Sequence, residues 1–172
     1  NIKYKFIEAD VISHNLSKEI ERCDVVIHLA AMTDAANSIH NPAEVQRNNL
    51  DATAAIANEC ANNRTKLIML SSTSVYGVQD STVTEKSPRS VLRPQSPYAE
   101  TKLREEDLIS ELQEKKNLHA IRCRFGTIYG TSPGMRFHTA VNKFCWQALH
   151  GQKLTVWRTA FEQKRPYLDI ID

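Results

Sequence analysis

Five glycines serve the whole 172-residue chain, and the first of them is Gly77. A phosphate-cradling loop needs glycines where the backbone turns tightly against an anion. The stretch before Gly77 therefore holds neither a nucleoside-triphosphate loop nor a dinucleotide fingerprint. Long apolar runs are absent as well, and none reaches the ~18 residues of a membrane-spanning helix. Charge of one sign does not dominate: 22 Lys and Arg face 20 Asp and Glu, a net of +2, which excludes a strongly basic nucleic-acid binder. The four cysteines (Cys23, Cys60, Cys123, Cys145) are widely spaced in apolar surroundings. They read as reduced core thiols rather than a disulfide framework. The opening residues, Asn1 to Ile7, have neither the charge pattern nor the apolar stretch of a signal or transit peptide. These features suit a cytoplasmic domain that binds neither membrane nor nucleic acid. What remains is an ordinary globular composition, 41% hydrophobic and 24% charged, with enough chain for a sizeable core. The chain begins without Met and ends on Tyr167-Leu168-Asp169-Ile170-Ile171, so both ends read as cut from something longer.

Strand and helix signals alternate along the sequence. Tyr4–Glu8 reads as a short strand and Leu16–Arg22 as a short helix. Val25–Ala31 is a continuous apolar run of strand length, the kind found where a parallel sheet is covered on both faces. Asn41-Pro42 then gives a helix start, with an N-cap residue followed by proline at the first helical position. Val45, Asn49, Ala52, Ile56 and Cys60 recur at helical spacing and share one face. Asn49 is polar inside this apolar stripe, so it must bond to something specific. Leu67–Leu70 is a further buried strand, ending in Ser71-Ser72-Thr73-Ser74. Ser96-Pro97 repeats the cap-plus-proline signal and predicts a helix to about Lys116. Leu118–Phe125 reads as a strand, Phe137, Val141, Phe144 and Ala148 as a helical stripe, and Lys153–Trp157 as a strand. The alternation predicts an α/β fold with a parallel sheet.

In open parallel sheets, sites form beyond the carboxyl ends of strands. Here those ends carry His28-Leu29-Ala30-Ala31, Ser71-Ser72-Thr73-Ser74 and Phe125-Gly126-Thr127. The helix after the second begins Tyr98-Ala99-Glu100-Thr101-Lys102. Tyr98 and Lys102 are four apart and share a face. A cation held beside a phenol favours the phenolate, which suits it to acid–base work near neutrality. A Tyr and a Lys at this spacing arise by chance about 0.3 times in such a composition. The capped helix, the preceding Ser-Ser strand end and the alternating pattern give the pair its weight. His28, inside an apolar strand, reads as a satisfied core residue, and no His/Cys/Asp/Glu cluster has metal-ligand spacing.

The chain resembles the extended short-chain dehydrogenase/reductase family, the NAD-dependent epimerase/dehydratase group acting mainly on nucleotide sugars. The matching stretches are VIHLAA (Val26–Ala31), NNLDAT (Asn48–Thr53), LSSTSVYG (Leu70–Gly77), SPYAETK (Ser96–Lys102), RFGTIYG (Arg124–Gly130) and RPYLDIID (Arg165–Asp172). They stand in the family's order and spacing. The resemblance implies a Rossmann-like parallel sheet with helices on both faces, incomplete at its N-terminal side. Residues 1–130 would be a partial dinucleotide-binding domain, and 131–172 the start of a substrate-binding lobe and the return to the core. It also implies roles. Tyr98 is the acid/base, Lys102 lowers its pKa and holds the nicotinamide ribose, and Ser72 is the catalytic hydroxyl. Asp10 and Val11 edge the adenine. Leu29, Ala30, Ala31, Phe125 and Gly126 line the cofactor groove, and Asn49 supports it. Ser72, Thr73 and Thr127 meet the substrate, and Arg165 grips its diphosphate, a task suited to a bidentate guanidinium. The cofactor implied is NAD or NADP, and the partner a homodimer mate packed through the helices at 42–62 and 97–116.

The departures narrow the expectation. The family's GxxGxxG turn and the ribose selector are missing and are expected upstream of Asn1, so the chain alone is expected to bind cofactor weakly. Sugar 4,6-dehydratases carry an Asp-Glu pair where this chain has Thr73 and Ser74, and decarboxylases a Glu where Ser74 stands. Both are disfavoured, which leaves an epimerase or a reductase. Thr127 stands where many sugar epimerases have Asn. The alternatives are a reductase of a non-sugar carbonyl compound and a non-catalytic cofactor-binding member of the fold.

Overall fold

The structure, a computed structural model, describes residues 4–33, 37–156, 158, 161–162 and 164–172. It falls into two compact units, one ending at Arg124 and the other beginning at Phe125.

The first unit is built on a three-stranded sheet in the order β1-β2-β3: β1 (Val25–His28), β2 (Lys66–Ser72) and β3 (Ala120–Phe125). β1 and β2 run parallel, Val25 opposite Lys66 and His28 opposite Met69. Parallel neighbours need crossovers. The first is α2 (Pro42–Gln46), a π-helical turn (Arg47–Asp51) and α3 (Ala52–Asn63) in unbroken succession; the second is α4 (Pro97–Lys116). A short α1 (Ser17–Ile20) precedes β1. The predicted stripe is buried at all five positions: Val45, Asn49, Ala52, Ile56 and Cys60. Asn41 starts the helix as expected, but its side chain makes no capping bond, and the fixed φ of Pro42 marks the start instead. α4 spans the predicted range, with Ser96 Oγ accepting from the Ala99 amide at 3.2 Å.

Side-chain alternation assigns the two faces of the sheet. Leu67 and Met69 of β2 pack with Ile56, Ala57, Cys60, Ile109, Leu112 and Leu118 into the main core. Each of these larger apolar side chains contributes about 1.5–3 kcal/mol on burial. The other face is more open. The run at 25–31 suggested a strand covered on both faces; instead β1 ends at His28, and Ile27 is 60% exposed. β1 lies at the sheet edge, so one of its flanks has no strand neighbour among the described residues. Tyr4–Glu8 forms no strand and its side chains are exposed, because extended backbone becomes a strand only when a partner takes up its hydrogen bonds. All four cysteines are free thiols, yet only Cys60 is fully buried; Cys23 and Cys145 are exposed, contrary to the core reading.

In the second unit β4 (Thr127–Tyr129) and β5 (Tyr167–Asp169) pair in parallel, Thr127 opposite Tyr167. Gly126 makes this pairing possible: a Cβ there would sit 2.4 Å from the Pro166 carbonyl oxygen. α5 (Ala140–Leu149) matches the predicted helix, though its buried residue is Asn142 rather than the apolar stripe. Asn142 accepts from the Gly130 amide at 3.1 Å and donates to the Arg136 carbonyl at 3.1 Å, tying the helix to two turns. The strand expected at Lys153–Trp157 does not form over 153–156, which are exposed, and Trp157 lies outside the described residues.

Candidate functional site

The start of α4 sets the geometry. Ser96 caps the helix, Pro97 fixes its first turn, and the Tyr98 amide donates to the buried Ser38 hydroxyl at 3.3 Å. Tyr98 and Lys102 are both buried, one helical turn apart. α4 packs against β2 and against the 3-10 turn Thr73–Tyr76 that follows Ser72. Gly77 closes that turn at φ +67°, and a Cβ there would overlap the Arg93 carbonyl oxygen.

Ser72 caps the turn and accepts twice, from the Ser74 amide at 3.1 Å and the Ser74 hydroxyl at 2.9 Å. With both lone pairs engaged, its own proton is left to donate. Thr73 is half-buried beside it.

The Lys102 ammonium is anchored to Glu105 Oε2 at 3.0 Å, in a pair whose side chains are 4% and 0% exposed. That oxygen also accepts from the Thr53 hydroxyl at 2.8 Å, and Thr53 Oγ1 lies 3.0 Å from His28 Nε2. Thr53 gives its one proton to Glu105, so neutral His28 must donate from Nε2. A directed chain results, His28 to Thr53 to Glu105, meeting Lys102 at the carboxylate. Burial pushes the Glu105 carboxyl above the usual range, opposed by Lys102 and Thr53. Burial, with the Lys102 charge second, lowers His28 to about 4.

This shift has a pH signature. An unfolded histidine takes its proton near 6.5, and folded His28 only near 4. Between those values the unfolded state binds more protons, so His28 removes stability as pH falls through that window and has no such effect above it. His28→Gln is expected to flatten the acid side of the stability profile by about 3 kcal/mol between those limits. Urea titrations at stepped pH measure this, and parallel curves for the two proteins would count against it.

A second buried cluster lies on the same helix. Glu106 takes a fork from Arg124, Nε to Oε1 at 2.9 Å and Nη2 to Oε2 at 2.6 Å, and accepts from Ser71 Oγ at 2.5 Å. The Arg124 guanidinium also lies 4.9 Å from the centre of the Tyr76 ring. Arg124 is held well above its ordinary pKa, chiefly by the Glu106 hydrogen bonds. The cluster ties β2, β3, α4 and the 73–76 turn together.

Asn49, fully buried in the π-helical turn, clamps the Met32 backbone from both sides, accepting from its amide at 2.7 Å and donating to its carbonyl at 3.0 Å. The expected specific bond is therefore made, to the segment just past β1. Leu29, Ala30 and Ala31 lie between β1 and this clamp, with Leu29 62% exposed. Asp10 accepts from the Ile12 amide at 2.8 Å in a local turn, and Val11 packs on the main core. Phe125, Gly126, Thr127 and Arg165 belong to the second unit. Thr127 opens β4, Gly126 abuts Pro166, and Arg165 stands exposed before β5.

Glu105 and Glu106 have no counterpart among the residues singled out in the sequence. The helical spacing from Lys102 was the available signal, since positions three and four residues on share its face. Among the described residues no group of three His, Cys, Asp or Glu side chains is arranged to hold a metal, and no helix is long and apolar enough to cross a membrane.

The sequence pattern of the NAD dependent epimerase/dehydratase family matches residues 1–172. The chain belongs to that family. Among curated members it is 29% identical to the dTDP-D-glucose 4,6-dehydratase of Dictyostelium discoideum, over 99% of this chain and 42% of that protein. It is also 29% identical to the uncharacterized UDP-glucose epimerase YtcB of Bacillus subtilis, over 99% of this chain and 52% of that one. Among solved structures, the UDP-glucuronic acid 4-epimerase of Bacillus cereus, in complex with UDP-glucuronic acid and NAD, superposes with a TM-score of 0.83 at 30% identity, over 97% of this chain and 52% of that one. The UDP-N-acetylglucosamine 4-epimerase of Methanobrevibacter ruminantium gives 0.82 at 28% identity, over 95% and 53%. The chain thus spans about half the length of these four relatives, and its α/β architecture is the Rossmann-type fold of the family.

Proposed function

We propose that this chain is the part of an NAD(P)-dependent nucleotide-sugar epimerase or reductase that carries the proton-transfer residues. The observation that carries the reading is the burial of Tyr98 and Lys102 on one face of α4, packed against β2 and the turn that Ser72 caps. The donor chemistry fits the nicotinamide ribose of the cofactor. An ammonium has three N–H donors, and Glu105 uses one on Lys102, leaving two for vicinal ribose hydroxyls. Leu29, Ala30 and Ala31 offer a path past β1 for the rest of the molecule. No glycine precedes Gly77, so the pyrophosphate cradle is not among these residues. When bound, the nicotinamide supplies an acceptor and donor of hydride.

The chain's own residues supply the rest. Ser72 donates its proton to the substrate oxygen and holds it in place. Tyr98 takes the proton of a sugar hydroxyl as the carbon is oxidised and returns it on reduction. Lys102 supplies the positive charge that favours the phenolate. Thr73 and Ser74 provide hydroxyls and no carboxylate, so nothing in that turn can remove a carbon-bound proton for loss of water. On the family resemblance, the role proposed for Arg165 is to grip the substrate diphosphate. A homodimer through the helices at 42–62 and 97–116 is part of the same proposal.

The test is to incubate the full-length protein with NAD and UDP- or dTDP-hexoses in deuterium oxide and to follow products by NMR. An epimer, or in the presence of NADH a reduced sugar, without deuterium on the ring supports the reading. A 4-keto-6-deoxy product carrying deuterium shows elimination of water and overturns the epimerase assignment.

A further inference from the structure

We propose that Glu105 is a positioning residue for Lys102, itself oriented by the hydroxyl relay from His28 through Thr53. The inference rests on the role given to Lys102 under the proposed function. Glu105 is fully buried, and among the described residues the bond that anchors the Lys102 ammonium runs to its Oε2. That same oxygen receives the Thr53 proton, and Thr53 in turn meets His28 at the end of β1. Oε2 is thus held by two groups, Lys102 from α4 and Thr53 from α3, and His28 of β1 acts on it through Thr53. Glu105 Oε1 is buried without a hydrogen-bond partner among the described residues.

Stability does not explain this arrangement. A buried ion pair is often no more stabilising than well-packed apolar residues of similar volume, and an unsatisfied buried acceptor adds a cost. Yet a fully buried glutamate stands here one turn from the ammonium. An untethered lysine side chain samples many rotamers, and binding a ribose would have to freeze them. Held by Glu105, the ammonium keeps one position and directs its two remaining donors away from the carboxylate. The charged groups acting on Glu105 are Lys102 and Glu106 from its own helix, and the titratable but neutral His28 of β1 reaches it through Thr53. α3 contributes only the Thr53 hydroxyl.

The test uses Glu105→Gln, Thr53→Val and Thr53→Ser in the full-length protein, with two readouts. The first is NAD affinity by fluorescence titration. Glu105→Gln is expected to weaken it about tenfold and Thr53→Val about threefold, the scale of one charge-assisted and one neutral hydrogen bond. Thr53→Ser keeps the hydroxyl and restores the original value. On a Lys102→Met background, Glu105→Gln is expected to add nothing further, because the coupled partner is gone. Full additivity of the two substitutions, or unchanged affinity in Glu105→Gln, overturns the proposal.

The second readout needs neither cofactor nor turnover: site-resolved acetylation of Lys102 read by mass spectrometry. Without its counter-charge a buried ammonium loses its proton more readily and becomes nucleophilic. Faster labelling in Glu105→Gln than in the parent supports the tether, and equal labelling overturns it. A protein that binds no NAD at all sinks the functional reading, and the labelling still decides whether Glu105 governs Lys102.

Discussion

Tyr98→Phe is expected to cut turnover of the full-length protein by about 10²- to 10⁴-fold, the range that a positioned general acid–base contributes. The substitution removes one oxygen. The ring stays buried at the first turn of α4, and the Tyr98 amide still donates to Ser38, because that bond is made by the backbone. Lys102 keeps its bond to Glu105 and Ser72 keeps its two from Ser74. Binding of cofactor and sugar nucleotide should therefore persist within a few-fold, so that kcat falls while KM holds. That split identifies an interaction made in the transition state rather than in binding. Steady-state kinetics with an equilibrium NAD titration on both proteins measures it. Retention of the parental rate by the phenylalanine variant would end the proposed mechanism, since no other buried phenol lies at the start of this helix.

Arg124→Met is expected to destabilise the protein by about 3–5 kcal/mol, the cost of leaving one partner of a buried ion pair uncompensated. Glu106 is 5% exposed in its side chain and takes both arms of the guanidinium fork. Methionine fills much of the arginine's volume, so packing is largely kept and the loss reports the stranded carboxylate. Ser71 alone remains to bond it. Arg124→Lys retains the charge without the planar fork and should fall between the two. The double variant Glu106→Leu/Arg124→Met removes both charges and should recover much of the loss, because two apolar groups of similar shape pack without a desolvation cost. Urea unfolding of the three variants gives the comparison. A loss below about 1 kcal/mol for Arg124→Met would show that water reaches Glu106 freely and that the cluster is only a surface pair.

The elements legible in the sequence are those fixed by local chemistry. Ser96-Pro97 located the start of α4 because a capping hydroxyl and a preset φ act within one turn. The stripe from Val45 to Cys60 located the long helical crossover, and Asn49 announced a specific bond by being polar in the middle of it. The errors share a different cause. Tyr4–Glu8 has a strand's side chains but no partner beside it among the described residues. Val25–Ala31 is apolar enough for a central strand, yet β1 is at the edge of its sheet. Cys23 and Cys145 sit among apolar neighbours in sequence and face outward in space. Apolar character records what a residue can bury, and position in the sheet decides whether it does.

The sequence alone determined the alternation of strands and helices, the membership of Ser72, Tyr98 and Lys102 in strand-end and helix-start positions, and the family those stretches belong to. Only the tertiary structure decided what Lys102 touches. Glu105 is three residues away along the chain, but Thr53 and His28 lie 52 and 77 positions from Glu105. Thr53 reaches the carboxylate directly and His28 through Thr53, which follows from packing α3 and α4 on the same face of the sheet. Spacing along a helix is written in the chain; which side chains from other elements complete its buried polar groups is settled only when those elements meet.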